Sequence, residues 1–207
     1  KRVSAELVDA LHRAGSALEA AGARRRTLKI EALRHSFDIW SSMLEAESNT
    51  PFSQLLGNGR PARAFRELVK LAVGRSQHTL PGLVLAIIEK LPALTPGRAK
   101  RFIARGHELR EELIALIGDG VLLYPPYPEV APRHNRPLMP PFNWVYTAIF
   151  NVMELPVTQV PLGLNAAGVP LGVQVVGGPG ADHRTIAVAR YLEERFGGWV
   201  PPPSLFG

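Results

Sequence analysis

Hydrophobic residues recur every three or four positions through most of the first 120 residues, a spacing typical of amphipathic helices. Glycines and prolines separate the segments that carry this pattern. In the first segment, Val3, Leu7, Leu11, Ala14 and Leu18 would form one apolar face. We predict helices over residues 3–21, 30–46, 62–73, 82–90 and 95–117.

Two of these helices carry specific predictions about burial, because their apolar residues fall on one side. The second helix would bury Ile30, Leu33, Phe37, Trp40 and Leu44. The last and longest helix would bury Phe102, Leu109, Leu113, Leu116 and Ile117.

The pattern changes after Gly120, where short apolar runs lie between prolines and glycines, as in buried strands. Asn165-Ala166-Ala167-Gly168 has the composition of a tight turn and would join the last two strands as a hairpin. We predict strands over residues 121–124, 158–164 and 171–176, a proline-rich loop over 128–141, and a further helix over 143–153.

A closing helix is predicted to begin at Asp182, whose carboxylate would cap it. Its inner face would carry Ile186, Ala189, Leu192 and Phe196. The predicted fold class is therefore α/β, with a helical, basic region over residues 1–120 and a sheet-and-helix region over 121–207.

Charge follows the same division. Residues 1–120 hold 19 Lys/Arg and 13 Asp/Glu, and residues 121–207 hold five of each, which together give the net charge of +6. The densest basic run, Arg24-Arg25-Arg26 with Lys29, is either a solvated loop or a patch for an anionic partner such as a lipid surface. No aromatic residue interleaves with these arginines, so a nucleic acid is not expected as a partner.

Residue types that several catalytic sites need are missing or isolated. The chain has no cysteine, which excludes thiol nucleophiles, disulfides and cysteine-ligated metals. No serine lies between Ser76 and Ser204, and Ser41-Ser42 lies inside a helical pattern, where its hydroxyls would bond to the preceding turn. His107-Glu108-Leu109-Arg110-Glu111 is similar to the zinc-binding pattern H-E-x-x-H but has Glu111 at the second histidine position.

The remaining candidates are two histidines near turns, His134 and His183, for which a hydrogen-bonded structural role is expected. We therefore expect neither a metal nor a cofactor. No stretch of apolar residues is long enough to cross a membrane, and the chain begins without methionine, which suggests a fragment or a processed product.

A spaced series of motifs in residues 121–207 resembles the amidase signature family. The series comprises Val121–Pro126, Ala131–His134, Phe150-Asn151, Leu155–Leu164, Gly168–Gly177 and the segment Asp182–Phe196. Its details are most similar to the type 2 fatty-acid amide hydrolases, through Phe142-Asn143 before Tyr146-Thr147, Pro156–Gln159, Asp182-His183 and Phe196–Val200. A weaker resemblance extends over residues 1–120.

This resemblance implies the C-terminal part of an α/β/α fold in which helices flank a mixed sheet. Members of the family hydrolyse amides with a Ser–Ser–Lys triad, and a Gly/Ser-rich loop supplies the oxyanion hole. The chain has no Gly-Gly-Ser-Ser-Gly stretch, so the resemblance assigns no catalytic residue here and implies a segment that follows the triad. By position in the family, Trp144, Ala148 and Phe150 would wall the acyl channel; alternatively they are ordinary core residues.

Three functions remain open at this point. The chain is the C-terminal portion of a fatty-acid amide hydrolase, inactive without the missing N-terminal half; or it is a non-catalytic lipid-binding fragment; or Arg24–Lys29 and the basic helix hold an anionic partner, a lipid surface or, less expected, a nucleic acid. We expect a location in the cytoplasm or at the periphery of a membrane. Strands that lack their usual neighbours would expose unpaired edges, which predicts a homodimer or larger aggregates.

Overall fold

The computed structural model describes residues 2–47, 52–60, 63–88, 96–132 and 142–200. It divides into two compact units, one formed by Lys1–Arg34 with Leu109–Gly207 and the other by His35–Glu108. The division of the chain at residue 120 into a helical, basic region and a sheet-and-helix region rests on composition and remains a prediction. We call the two parts the sheet unit and the helical unit.

The sheet unit contains three strands, β1 (Leu122–Tyr124), β2 (Val157–Leu164) and β3 (Pro170–Val176). β3 lies in the centre and pairs with both others in the antiparallel sense, giving the order β1-β3-β2. The predicted hairpin between β2 and β3 is confirmed. Its turn is closed by Asn165, whose side-chain oxygen accepts hydrogen bonds from the backbone N–H groups of Ala167 and Val169, both at 2.9 Å.

Two helices cover this sheet, α1 (Ala5–Ala20) and the closing helix, which we label α8 (Asp182–Phe196). The predicted apolar face of α1 is confirmed, since Leu7 and Ala14 are buried and Val3, Leu11 and Leu18 pack partly buried against the same core. The buried residues of this core are Leu7, Ala10, Ala14, Val160, Leu162, Leu171, Val173, Val175, Ala189 and Leu192.

Two predictions about α8 are wrong. Ile186 is 51% exposed, because the helix turns Thr185, Ala189 and Leu192 toward the sheet. Asp182 is the first residue of the helix and not its cap; Ala181 holds the cap position, and the helix has no side-chain cap. The Thr185 hydroxyl donates to the carbonyl of Asp182 and accepts from Thr158 on β2, both at 2.9 Å, which ties the first turn to the sheet.

The sheet unit also contains α7 (Val145–Val152) and the C-terminal part of the long helix α6 (Pro96–Ile117). Both lie within the predicted ranges. In α6, Leu109, Leu113 and Ile117 are buried as expected, whereas Leu116 is half-buried.

The helical unit holds α2 (Ser36–Glu47), α3 (Phe52–Leu56), α4 (Ala64–Ala72), α5 (Leu80–Ile88) and the N-terminal part of α6. The single helix predicted over 30–46 is instead a 3-10 helix, Glu31–His35, followed by α2. Because a 3-10 helix has three residues per turn, the apolar face shifts in phase. Ile39 and Met43 are therefore buried, and Leu44, predicted to be buried, is 44% exposed.

Within the part of the chain that the structure describes, no helix combines the length and the apolar character needed to cross a bilayer.

Candidate functional site

The predicted channel residues lie on or beside α7, the short helix that precedes β2. Trp144 occupies the position before its first residue, and the Trp144 carbonyl accepts hydrogen bonds from the Thr147 hydroxyl at 2.8 Å and from the Ala148 N–H at 3.2 Å. Trp144 and Ala148 are both half-buried. They are four residues apart, so they lie on the same side of the helix.

Phe150 lies on the other side of α7. It is fully buried, and its ring meets the ring of Tyr124 on β1 edge to face, with centroids 5.2 Å apart. At about 100° per residue, Ala148 and Phe150 point about 200° apart around the helix axis. The structure therefore separates the three predicted site residues into two half-buried residues on one side and one core residue on the other.

Tyr124 connects α7 to the sheet through a second aromatic contact. Its ring lies 5.7 Å from the ring of Tyr146, one helical turn before Phe150. Burial, followed by the nearby Tyr146, raises the pKa of Tyr124 far above its ordinary value. The Tyr124 hydroxyl is therefore protonated and uncharged over the physiological pH range.

Gln174 on β3 joins the sheet to α7 by hydrogen bonds. Its side-chain nitrogen donates to the carbonyl of Pro125 at 3.0 Å and to the carbonyl of Tyr146 at 3.2 Å. Gln174 is only 3% exposed and pairs in register with Tyr124. The strand β3, the end of β1 and the first turn of α7 are thus held by one buried amide.

Arg110 on α6 holds the opposite end of α7. Its Nε donates to the carbonyl of Met153 at 3.1 Å, and its Nη2 lies 3.6 Å from the carboxylate of Glu154. Glu154 has a left-handed backbone with φ of 53° and lies where the chain leaves α7 for β2. A cation at the C-terminal end of a helix also interacts favourably with the helix dipole.

The other sequence candidates are Ser41, His107, His134 and His183. The Ser41 hydroxyl donates to the Asp38 carbonyl at 3.2 Å, which confirms that it bonds to the preceding turn. His107 and His183 are exposed, and His134 falls outside the described residues. Among the residues that the structure describes, no group of three His, Asp or Glu side chains could hold a metal ion.

The basic run after α1 forms contacts within the sheet unit. Arg25 lies 3.3 Å from the Glu19 carboxylate, Lys29 lies 2.7 Å from Glu31, and Arg26 donates to the Leu116 carbonyl at 3.2 Å. The Lys29 hydrogen bond, with the charges of Lys29 and Arg34, lowers the pKa of Glu31. This run is therefore partly neutralised by its own neighbours.

Sequence reasoning did not identify Gln174, Tyr124 or Arg110 as parts of the site. Gln174 stands in an otherwise apolar strand, Leu171–Val176, and a buried polar residue of that kind must find hydrogen-bond partners. The polar residue in an apolar strand was therefore the feature that could have pointed to Gln174. Its hydrogen-bond partners, however, lie 28 and 49 residues away in the sequence.

Comparison with known proteins finds similarity along most of the chain. The sequence profile of the family described as Amidase matches residues 1–186. The human protein "Fatty-acid amide hydrolase 2" is 45% identical over 188 residues, which are 87% of this chain and 35% of that protein. "Fatty-acid amide hydrolase 2-B" of Danio rerio is 41% identical over 208 residues, which are 97% of this chain and 39% of that protein. The chain thus spans little more than a third of the length of these curated relatives.

Solved structures share the fold at lower identity. "Structure of 6-aminohexanoate cyclic dimer hydrolase" matches with a TM-score of 0.70 and 17% identity, over 98% of this chain and 44% of that one. "Crystal structure of amidase" matches with a TM-score of 0.66 and 22% identity, over 94% of this chain and 43% of that one. These likenesses confirm the predicted α/β class and show that the chain covers part of a larger fold.

Proposed function

Because this chain belongs to the amidase signature family, as its motifs predicted, we propose that it is the C-terminal portion of an enzyme that hydrolyses fatty-acid amides. The observation that carries the proposal is the 45% identity to "Fatty-acid amide hydrolase 2" over 87% of the chain. The family resemblance assigns the Ser–Ser–Lys triad and the Gly/Ser-rich oxyanion-hole loop to the N-terminal half of the fold, and the 207 residues contain no Gly-Gly-Ser-Ser-Gly stretch. The nucleophilic oxygen that attacks the amide carbonyl is thus supplied from outside this sequence.

The role of this portion is to bind the acyl chain and not to break the bond. Trp144 and Ala148 contact the acyl chain from one side of α7, and Phe150 supports them from behind through its contact with Tyr124. Trp144 and Ala148 are half-buried, and a partly shielded apolar surface of this kind favours a hydrocarbon ligand.

The experiment uses the human relative as a host for this chain. The chain replaces the aligned segment of human fatty-acid amide hydrolase 2, and oleamide hydrolysis by the chimera is measured. We expect turnover by the chimera, and neither turnover nor labelling by a fluorophosphonate probe for the chain alone. Labelling of the chain alone would contradict the assignment of the nucleophile to the missing segment.

The lipid-binding alternative predicts binding without hydrolysis. Titration of the chain with a fluorescent fatty acid would then saturate, while the chimera would stay inactive although folded. Hydrolysis of oleamide by the chimera would support the hydrolase and contradict the non-catalytic lipid-binding alternative.

A second proposed role is attachment to a membrane surface, and the helical unit favours it more than the basic run does. Along α4 and the residue that follows it, Phe65, Val69 and Val73 recur every fourth position and are 77%, 69% and 65% exposed. Arg63 and Arg66 are exposed beside them. An exposed apolar stripe bordered by basic residues matches the interface of an anionic bilayer.

The polar side of α4 is held by the chain that follows it. Glu67 binds Lys70 and accepts a hydrogen bond from the Ser76 hydroxyl at 3.0 Å. The Lys70 hydrogen bond is the main cause of the lowered pKa of Glu67. These contacts hold the segment after α4 on the side of Glu67, and Phe65, Val69 and Val73 on the other side stay exposed.

A further inference from the structure

Gln174 is not part of the Ser–Ser–Lys triad of the family, yet it is one of the few buried polar side chains in the described part of the chain. It lies in β3, the central strand, with Tyr124 beside it on β1 and Gln159 beside it on β2. Its two hydrogen bonds leave the sheet and end on the carbonyls of Pro125 and Tyr146. A buried polar side chain is favourable only when such partners are present.

The direction of these bonds determines what they fix. Pro125 follows β1 directly, and Tyr146 lies in the first turn of α7, two residues after Trp144 and two before Ala148. At the other end of α7, Arg110 binds the Met153 carbonyl. Removing the Gln174 bonds would therefore loosen the N-terminal half of α7, which would keep only the ring contact of Tyr146 with Tyr124 among these contacts, and leave its C-terminal end attached.

We infer that Gln174 is a positioning residue, which sets the location of Trp144 and Ala148 by holding the first turn of α7 against the sheet. This inference rests on the proposed function, in which these two residues contact the acyl chain. Gln174 touches neither substrate nor nucleophile in this account, so its loss should affect the binding of a long acyl chain more than the chemical step.

The first test uses the chain itself and needs no activity. Gln174→Met keeps the length of the side chain and removes both donors. Hydrogen–deuterium exchange should then become about thirtyfold faster in the first turn of α7, since two bonds of about 1 kcal/mol each are lost and about 1.4 kcal/mol is a factor of ten. Exchange in α8 should stay unchanged. Equal acceleration in both helices would overturn the inference, because it would show general destabilisation.

Gln159 supplies the matched control. It is the register partner of Gln174 on the neighbouring strand, but its side chain is exposed. Gln159→Met should change exchange in neither helix. If it accelerated α7 as much as Gln174→Met does, the specific role of Gln174 would be lost.

The second test measures substrate preference in the chimera described above. The readout is the ratio of kcat/KM for oleamide to kcat/KM for butyramide. Gln174→Met should lower this ratio about fivefold to tenfold through KM for oleamide, and Gln159→Met should not. An equal fall for both substrates, or an unchanged ratio, would overturn the inference.

Gln174→Glu adds a pH readout that a merely structural role would not produce. A buried carboxylate accepts hydrogen bonds only, whereas the protonated acid has one O–H to donate. The ratio of kcat/KM for oleamide to kcat/KM for butyramide should therefore recover in this variant as the pH falls. Titration of the catalytic groups affects both substrates equally and so does not change the ratio. An inactive chimera would count against the proposed function and leave the exchange experiment to decide the role of Gln174. A ratio for Gln174→Glu that does not change with pH would contradict the hydrogen-bonding role.

Discussion

At the scale of single residues, Gly106 sets the distance between two helices of the helical unit. It is buried in α6, and a Cβ at this position would lie 3.0 Å from Cγ2 of Ile39 and would overlap the sulfur of Met43, both on α2. Protein interiors are close-packed, so an added side chain here must displace its neighbours. Met43 is flexible and can move, whereas the β-branched Ile39 is stiff.

We therefore expect Gly106→Val to destabilise the chain by about 1–3 kcal/mol, the usual cost of overpacking. Gly97 is the matched control: it lies in the same helix, is exposed, and has no atom within 4 Å of an added Cβ. Gly97→Ala should be neutral or stabilising by up to about 1 kcal/mol, because alanine favours helix more than glycine does. Urea denaturation of both variants measures these changes. Equal stability of Gly106→Val and the unchanged chain would contradict the packing argument.

At the scale of elements, α4 is unusual because it turns apolar residues outward. The sequence pattern predicted this helix but not its orientation, since a stripe at helical spacing is ordinarily buried. In the structure, the contacts of Glu67 with Lys70 and Ser76 occupy the polar side, and Phe65 and Val69 remain exposed. The outward orientation of this apolar face could be seen only from the packing of α4, because the sequence pattern does not determine which face of a helix is covered.

The membrane proposal predicts that the chain floats with vesicles containing phosphatidylserine. Replacing Phe65, Val69 and Val73 with serine should reduce binding by more than tenfold, since three large apolar side chains no longer enter the interface. Leu55→Ser is the control, because Leu55 is 62% exposed on α3 of the same unit but lies outside the stripe.

Salt provides a second readout for the same helix. The Debye length falls from about 10 Å at 0.1 M to about 3 Å at 1 M, so the contribution of Arg63 and Arg66 should weaken while the apolar contribution persists. Binding that resists both the triple substitution and high salt would rule out α4 as the attachment site.

At the scale of the whole molecule, local patterns predicted most elements and few of their contacts. The β2–β3 hairpin followed from strand patterns and a turn that Asn165 closes within five residues. The buried face of α2 did not follow from the pattern, because the 3-10 helix before it changes which residues of α2 point inward. Of the site, α7 was predicted with Trp144, Ala148 and Phe150, but Gln174 and Arg110 were not, since their partners come from distant parts of the sequence.

The sheet also carries the prediction that copies of the chain associate. Among the described residues β1 and β2 each pair with β3 alone, so each has an outer edge without a strand partner. An edge of this kind accepts a strand from another molecule unless charge or proline prevents it. Pro161 interrupts the edge of β2, but Gln159 and Leu164 on the same strand are exposed and uncharged.

We expect the purified chain to elute as a dimer or larger species whose proportion rises with concentration. Gln159→Lys with Leu164→Lys should shift it toward the monomer, because lysine on an edge strand opposes pairing. Ile186→Lys is the matched control: it introduces the same charge at a residue that is 51% exposed on α8, outside the strands, and should leave the distribution unchanged. Size-exclusion chromatography with light scattering measures all three. If Ile186→Lys alone produced the monomer, association would occur through the face of α8, and the unpaired strand would not be its cause.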